Sequence, residues 1–333
     1  MKASVIIGGI VGLALSIWLI DSVGLAHIPE LFVRASFLGV FVVTVFHLSQ
    51  MLFSALSWRA IAGPSAAQPA LATYLKLRWV RESVNNLLPL AQIGGEIVVS
   101  RLLRQAGMRL ADAIAGTVAD LTIEMATQVL FTLLGLLLLL QQAGTGGGMA
   151  AYLMTGVTIA ALGMAALFGA LFLGLSAALE KALMKFGHWI GWGRMLDAEG
   201  LHDALMNCYR APARVLWSTL WQIISWLLGG IEVCLILHFF GRRVGISDGL
   251  IIESIGQALK AVGFAVPGAI GVQEGGYVAI CHALGMTPEL GMALSLMKRV
   301  RELILGIPGL LFWHRIEGRT QPTPDAAVRG VIE

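Results

Sequence analysis

The sequence places charged side chains inside apolar segments, where an isolated charge is unfavourable. Asp120 and Glu124 lie one helical turn apart in an otherwise apolar stretch. A second apolar stretch carries four charged residues close together: Lys298, Arg299, Arg301 and Glu302. Six unpaired charges at lipid-facing helix centres would cost roughly 15–20 kcal/mol, which is more than the net stability of a typical fold. We therefore expect these side chains to face protein or water and to pair with one another.

Two interpretations of these charges stay open. In the first, they form a purely structural network of ion pairs. In the second, they line a polar cavity that carries a lipid headgroup or a proton, which is the usual role of ionisable residues at membrane depth.

Two stretches rich in Gly and Pro interrupt the apolar pattern, and each ends in a carboxylate. Pro89 precedes Glu96 by seven residues, and Pro267 precedes Glu274 by seven. Irregular backbone in a bilayer is tolerated only where protein or a watery cavity satisfies its polar groups. Such breaks therefore indicate a cavity or substrate path, the alternative being kinked helices packed by small residues. We expect each carboxylate to titrate or to cap a half-helix N-terminus.

The two stretches belong to an internal repeat. The offset is 267 − 89 = 178, and without gaps it aligns seven identical residues over the window 89–124, including one Pro and two Glu. Asp120 then maps to Lys298, and Glu124 maps to Glu302. A repeat with interrupted segments at corresponding positions is typical of transporters.

The repeat predicts specific partners for the buried charges. Equivalent helices of inverted repeats meet near the pseudo-twofold axis, so we expect Asp120 to pair with Lys298. Arg299 and Arg301 would then take Glu124 and Glu302 as partners. One cation would be left for an anionic ligand.

The composition indicates an all-α polytopic membrane protein. Of 333 residues, 57% are hydrophobic and 13% are charged, and the mean hydropathy is +0.80. Soluble domains carry about 25% charged residues. The expected surroundings are a lipid bilayer and the expected partner is a membrane lipid, with no role for nucleic acid. A homo-oligomer is left open.

The hydropathy pattern predicts about six transmembrane helices and two re-entrant helical hairpins in an inverted repeat. The segment Leu87–Val99 is too short to cross about 30 Å and is flanked by basic residues on both sides. The predicted units are 1–34, a first transmembrane helix and loop; 35–176, repeat 1 with a re-entrant hairpin at about 71–110; 177–212, an interfacial amphipathic linker; 213–315, repeat 2 with a re-entrant hairpin at about 249–285; and 316–333, a disordered tail.

The placement of basic residues predicts the orientation. With both termini in the cytoplasm, the cytoplasmic segments hold 16 of the 23 Lys and Arg residues. The outside loops hold three: Arg34, Arg242 and Arg243. This excess on one side follows the positive-inside rule.

The sequence contains none of the common catalytic or metal-binding motifs. The three cysteines lie far apart without a CxxC pair. There is no HExxH, Walker or GxSxG motif and no paired metal spacing, so no metal, cofactor or catalytic residue is predicted. His47 and His238 are single residues on apolar spans, which indicates packed polar residues rather than ligands.

The broken stretches resemble those of the flippase-like integral membrane family, which includes the transmembrane flippase half of lysylphosphatidylglycerol synthases. The resemblance covers about 35–315. It rests on Asn86-Leu-Leu-Pro89 followed by Gly94-Gly95-Glu96 and Arg101, and on Pro267-Gly-Ala-Ile-Gly271-Val-Gln-Glu274. Segment 81–86 and the chain length are most similar to the hopanoid-biosynthesis-associated membrane proteins of the HpnL type.

The resemblance implies about six spans, two re-entrant hairpins and lipid movement between leaflets. The residues that it places along the lipid path are Asn86, Pro89, Gly95, Glu96, Arg101, Pro267, Gly271 and Glu274; Lys260, about two turns before the second break, joins them by position. Two features depart from the family. The soluble aminoacyltransferase half is not in this sequence, so lysyl transfer is not expected. Gln92 stands where many relatives have a basic residue, which counts against an anionic headgroup.

These observations and the resemblance together predict a lipid flippase or transporter of a bacterial inner membrane, not an enzyme. It would move a hopanoid or another polar-headed lipid such as a phospholipid. Two alternatives remain. One is a non-catalytic membrane scaffold for lipid or hopanoid biosynthesis, in which the buried charges pair fully and leave no cavity. The other is a membrane-embedded transferase acting on a lipid-linked substrate.

Overall fold

The computed structural model describes residues 28–63, 68–88, 94–143, 200–262, 269 and 271–320, and within them it is entirely helical. The helices are α1 (Ile28–Ala62), α2 (Leu71–Leu87), α3 (Gly94–Gln105), α4 (Leu110–Ala143), α5 (Leu201–Tyr209), α6 (Pro212–Phe239), α7 (Ile246–Val262), α8 (Val272–Ala283) and α9 (Pro288–Thr320). Most of the predicted first unit 1–34, the part of repeat 1 beyond residue 143, most of the linker 177–212 and the tail beyond residue 320 lie outside the described residues.

Several helices have the length and composition of membrane spans. By those criteria three of the described helices can cross a membrane: Pro29–Ala62, Leu110–Gln142 and Pro212–Phe239. Helix α9 has 33 residues, about 50 Å of helix at 1.5 Å per residue, but it carries four charges near its middle. It continues to Thr320, so residues 316–320, predicted as the start of a disordered tail, are helical. These features confirm an all-α membrane protein.

The internal repeat is visible in the helix lengths. Helices α2, α3 and α4 have 17, 12 and 34 residues, and α7, α8 and α9 have 17, 12 and 33. The short helices α3 and α8 end in the same glycine turn: Gly107 and Gly285 have φ of 100° and 72°. After them, the Met108 and Met286 N–H groups donate to the carbonyls five residues earlier. We call α2 with α3 hairpin 1, and α7 with α8 hairpin 2.

The two repeats run in opposite directions. Helices α1 and α6, which precede the hairpins, are antiparallel: Ser57 near the end of α1 hydrogen-bonds Ser218 near the start of α6 at 2.9 Å. At the other end, Gly39 of α1 lies against Phe239 of α6. Because α1 leads into hairpin 1 and α6 leads into hairpin 2, the repeats are inverted relative to each other.

Each long helix packs against the first arm of the other repeat's hairpin. In α4, Gly135 lies against Ser254 of α7. In α9, the Leu305 carbonyl accepts a 2.7 Å hydrogen bond from the Trp79 indole of α2, and Phe312 stacks on that ring. The two repeats are therefore packed together through their long helices and the first arms of their hairpins.

Among the described residues, two of the apolar cores lie at opposite ends of the helix bundle. One core joins the start of α1 and the end of α6 to hairpin 2, with Phe240 and Tyr277 fully buried. The other joins the end of α1 to hairpin 1, with Trp58 and Tyr74 packed edge to face. We call these the Arg34 end and the Arg59 end after the nearby basic residues of α1. The charged residues lie between the two cores.

The crossing of α8 and α9 depends on a glycine, and we predict that Gly291→Ala destabilises the fold. A Cβ at Gly291 would lie 2.6 Å from the Tyr277 carbonyl oxygen and 2.7 Å from Val278 Cα, both of them backbone atoms. We expect a loss of about 1–3 kcal/mol in the free energy of unfolding, measured by denaturant titration in detergent.

Gly245→Ala is the matched control, because the nearest atom to its Cβ is Ser247 Oγ at 3.4 Å, an ordinary contact. Its effect should stay within about 0.5 kcal/mol. Equal stabilities for the two variants would contradict the packing at Gly291.

Candidate functional site

A cluster of buried charges lies between the two apolar cores. We call it the charge cluster. Its cations are Arg78, Arg81, Lys260, Lys298, Arg299 and Arg301; its carboxylates are Glu82, Glu96, Asp120, Glu124, Glu232, Glu253, Glu274 and Glu302. His47 on α1 lies between two of these carboxylates. At about 2.5–3.5 kcal/mol each, fourteen unpaired charges would cost about 35–50 kcal/mol. Their pairing is therefore a condition for folding.

Helix α2 contributes one charged face. Arg78, Arg81 and Glu82 are spaced three and four residues apart, so they share a side of the helix. The remaining surface of α2 buries Leu77, Val80 and Val84. This pattern turns both arginines towards α3 and α4.

Arg81 is the centre of this half of the charge cluster. Its guanidinium donates to Glu96 at 2.8 Å, to Asp120 at 2.6 Å and to Glu124 at 2.9 Å. These carboxylates come from two other helices, and only 3% of the Arg81 surface is exposed. A single planar group with five donors therefore holds α2, α3 and α4 together.

Arg78 provides the second arginine of this half. It binds both oxygens of Glu124, at 2.9 and 3.1 Å, and donates to Glu82 at 2.9 Å. A bidentate guanidinium–carboxylate contact of this kind fixes the relative orientation of the two side chains as well as pairing their charges. Glu124 thus joins both arginines of α2 to the long helix α4.

The second half of the charge cluster is centred on α6 and α9. Glu232 has no exposed surface. It accepts a hydrogen bond from Arg301, and Gln50 Nε2 donates to it at 2.5 Å. His47 lies 3.0 Å from Glu232 and 3.4 Å from Glu82, so this imidazole bridges the two halves.

Hairpin 2 and α9 supply the remaining pairs. Lys298 donates to Glu253 at 2.5 Å, and Tyr277 donates to the same carboxylate at 3.2 Å. Lys260 donates to Glu302 at 3.0 Å and to the Asn86 side-chain oxygen at 3.3 Å. After the His47 bridge, the Asn86 contact is a second link between the two halves, and it joins hairpin 1 directly to hairpin 2.

The carboxylates at the broken stretches occupy equivalent positions. Glu96 and Glu274 are each the third residue of a short helix, α3 and α8. Glu274 accepts the Gly271 N–H at 2.6 Å, which caps α8, and it also accepts from Arg299 at 3.1 Å. Capping by Glu274 is thus confirmed. Pro89 and Pro267 lie outside the described residues.

Gly95 and Gly271 allow these short helices to begin where they do. The Gly95 N–H donates to Asn85 Oδ1 at 2.8 Å, and a Cβ at Gly95 would lie 2.6 Å from the Arg81 carbonyl oxygen. Gly271 has φ of 82°, a conformation that favours glycine. Both glycines therefore position a carboxylate against an arginine.

The predicted partners of the buried charges were only partly right. The Asp120–Lys298 pair is wrong: Asp120 pairs with Arg81 and Lys298 with Glu253. The reason is that each long helix packs on a hairpin arm, which brings other charges nearer. Arg299 does pair with Glu302, at 3.1 Å.

Arg301 has a different partner from the one expected, and Arg101 lies outside the charge cluster. Arg301 pairs with Glu232 rather than with Glu124 or Glu302. Arg101 lies apart from the charge cluster, near the Arg59 end, with 53% of its side chain exposed and Glu317 as its partner. Its place along a lipid path stays a prediction.

Sequence reasoning missed Glu232 and Gln50 and treated Arg78 only as a flanking charge. The available signal for Glu232 was its position as a lone carboxylate in the apolar span Pro212–Phe239. Arg78 could have been found by its spacing from Glu82. His47 was expected to be a packed polar residue, and it is one that also bridges the halves.

The centre of the charge cluster contains a small cavity. It is lined by His47, Glu82, Asn86, Arg301 and Glu302, among others, with about 10 Å³ open to the centre of a water molecule. That is room for about one water. Arg301 Nε is buried without a hydrogen-bond partner among the described residues, so it is a donor available to such a water.

The charge balance of the cluster is negative. Six cations face eight carboxylates, so with His47 neutral the described cluster carries two unbalanced negative charges. The expectation of a spare cation for an anionic ligand is therefore wrong. A net negative site attracts protons or positively charged groups.

No group of three or more His, Cys, Asp or Glu side chains within the described ranges is arranged to hold a metal ion. The carboxylates of the charge cluster are instead occupied by arginine, lysine and histidine. The charge cluster can instead bind polar groups or protons at the level of the helix centres.

The apolar helices and the buried charge cluster define an integral membrane protein. Residues 5–309 match the family model of the lysylphosphatidylglycerol synthase TM region, so the chain belongs to that family. No curated protein and no solved structure matches the chain significantly.

We predict that Arg81→Gln destabilises the protein strongly, because it leaves Glu96, Asp120 and Glu124 without their shared donor. The expected loss is about 3–5 kcal/mol in the free energy of unfolding, measured by denaturant titration in detergent. Adding Asp120→Asn should recover part of this loss, since one buried charge fewer then needs a partner.

The control is Arg101→Gln, which removes an exposed ion pair and should cost no more than about 1 kcal/mol. If Arg81→Gln were as stable as Arg101→Gln, the central role of Arg81 would be refuted.

Proposed function

We propose that this protein is a lipid flippase of a bacterial inner membrane, without enzymatic activity of its own. The lipid headgroup would pass the charge cluster while the acyl or polycyclic part stays in the bilayer. Hairpins 1 and 2 would be re-entrant and would open to opposite leaflets in turn. The substrate class is a polar-headed lipid, with hopanoids the leading candidate.

The observation that carries this proposal is the set of polar contacts that cross between the inverted halves. His47 joins Glu82 of hairpin 1 to Glu232 of α6, and Lys260 of hairpin 2 reaches Asn86 of hairpin 1. Contacts of this kind can break and re-form without disturbing the apolar cores on either side. Alternating exposure of a central site between inverted repeats is a recurrent transport mechanism.

In this mechanism the structure corresponds to an occluded state. The central cavity has room for about one water and not for a headgroup. Entry of a lipid therefore requires the hairpins to separate on one side. Hydration of the cavity, and of the unpartnered Arg301 Nε within it, would be the first step of opening.

The charge balance of the cluster affects which lipid headgroups it would favour. A cluster with two excess carboxylates favours a neutral or positively charged headgroup, or bound protons, over a phosphate without a counter-charge. Protons taken up by these carboxylates would offer a route for coupling to a pH gradient. The Arg59 end, which also carries Arg109, Arg214 and Arg315, would face the cytoplasm by the positive-inside rule.

A non-catalytic scaffold for lipid synthesis is the second candidate. It is favoured by one specific observation, the nearly complete pairing of the charge cluster around a water-sized cavity. A scaffold needs rigid pairing, whereas a flippase needs that pairing to be reversible. Transport measurements separate the two.

The proposal predicts leaflet exchange of fluorescent lipids in proteoliposomes. Glu274→Gln should slow exchange by about tenfold, equal to about 1.4 kcal/mol in barrier height, because the Arg299 contact and the cap of α8 both weaken. Asp203→Asn, on the exposed side of α5, should exchange lipids like the wild type. A fluorescent hopanoid and fluorescent phospholipids should be tested with and without a pH gradient.

Acceleration by the gradient would support proton coupling. If the folded wild-type protein exchanged neither the hopanoid nor any phospholipid, the flippase proposal would fail and the scaffold would stand.

The net charge of the cluster predicts headgroup selectivity. A phospholipid with an amine-bearing headgroup should exchange faster than an anionic one of the same acyl composition, by about fivefold or more, which is roughly 1 kcal/mol. The rates are compared by dithionite quenching of labelled lipids at fixed ionic strength. Faster exchange of the anionic lipid would contradict the charge argument.

A further inference from the structure

A groove separate from the charge cluster lies at the Arg59 end. It has a volume of about 330 Å³ and runs between the last turn of α1 and the first turns of α6. These are the ends of two helices with membrane-spanning composition, Pro29–Ala62 and Pro212–Phe239. Because α1 and α6 are antiparallel, both ends reach the same membrane–water interface. The volume falls within the range of about 300–1,000 Å³ typical of ligand pockets.

The charged groups of the groove are both cations. Arg59 and Arg214 line it, and no carboxylate does among the described residues. Neither arginine forms an ion pair within the part of the chain that the structure describes. Arg214 Nη2 donates to the Asn207 backbone carbonyl at 2.9 Å, which holds the guanidinium in place without neutralising it. Two uncompensated guanidinium groups on one groove are well suited to a phosphate.

The aromatic residues of the groove are typical of a lipid interface. Trp217 and Trp221 are one turn apart on α6, and their rings stack with centroids 5.8 Å apart. Trp217 is 53% exposed. Tryptophan is enriched where acyl chains meet headgroups, because its ring is apolar and its N–H is polar.

Exposed leucines lie beside the groove on both helices. On α6, Leu216 and Leu220 are exposed at the same helix levels as the two tryptophans, and on α1, Leu52 is exposed one turn from the groove residue Leu56. We call these three leucines the leucine ridge. A ligand bound at the arginines would therefore have apolar surface for its chains.

We propose that this groove binds the phosphodiester headgroup of an anionic phospholipid from the surrounding bilayer. Arg59 and Arg214 contact the phosphate, the tryptophans contact the glycerol region, and the acyl chains lie along the leucine ridge. Basic pockets between membrane helices recognise anionic headgroups in this way. The binding does not depend on the proposed transport function, and it occurs whether or not lipids cross the charge cluster.

The opposite end of the same helix pair differs in charge. A groove there contains Arg34 and Arg242, but also Glu30 and Glu289. Its charges are balanced, so it has no net attraction for a phosphate. This difference provides a matched control on the same two helices.

The test uses the purified full chain in detergent and measures bound lipid by native mass spectrometry. The probes are phosphatidylglycerol and phosphatidylcholine of identical acyl composition. We expect the wild type to retain phosphatidylglycerol preferentially. Arg59→Gln with Arg214→Gln should weaken that binding by about 5-fold for each arginine and about 30-fold for the pair. Arg59→Lys with Arg214→Lys should keep most of it, since the charge remains.

The control variant, Arg34→Gln with Arg242→Gln, should change phosphatidylglycerol affinity by less than about twofold. Arg59→Gln alone must still lose about fivefold if the double variant does not fold, because Arg59 forms no ion pair with any residue that the structure describes. Unchanged phosphatidylglycerol binding in the Arg59 and Arg214 variants would overturn the proposal. So would an equal loss in the control, or equal wild-type retention of both lipids.

Discussion

The structure depends on the pairing of charges that lie among apolar helices. Arg81 is the clearest case, since its guanidinium donates to three carboxylates from two other helices. Left unpaired, the charges of the cluster would cost several times the net stability of a typical domain. Helices α2, α3 and α4 must therefore assemble together. The same constraint explains why the centre of the protein is closed, because any opening exposes charges that have to find other partners.

The two inverted repeats have similar backbones, but their charged side chains have different partners. Hairpins 1 and 2 have arms of the same lengths and end in the same glycine turn, and their third-position carboxylates Glu96 and Glu274 are equivalent. Their partners differ, however: Glu96 binds an arginine on its own hairpin, and Glu274 binds one on α9. The two hairpins are therefore similar in backbone but chemically distinct. In the proposed mechanism they need not open under the same conditions.

The polar and apolar parts of the molecule have separate roles. The two apolar cores at the Arg34 end and the Arg59 end contain few charges and set the helix positions. Between them, His47 and the Asn86–Lys260 contact link the halves through polar groups alone. A linkage of that kind is directional but adjustable, because hydrogen-bonding groups can exchange partners with water. The proposed transport depends on the opening of this linkage, whereas a scaffold would keep it closed.

The sequence by itself determined the class of protein, the existence of two equivalent broken segments and the need for buried charges to pair. Composition, helical spacing and the 178-residue offset carry that information because each is local or periodic. Only the tertiary structure decided which charges meet. The expected Asp120–Lys298 pair is replaced by Arg81–Asp120 and Glu253–Lys298, and Glu232 enters as an unexpected partner of Arg301. The physical reason is that each long helix packs on the other repeat's hairpin. The spacing of residues along the chain does not show which helices become neighbours in this way.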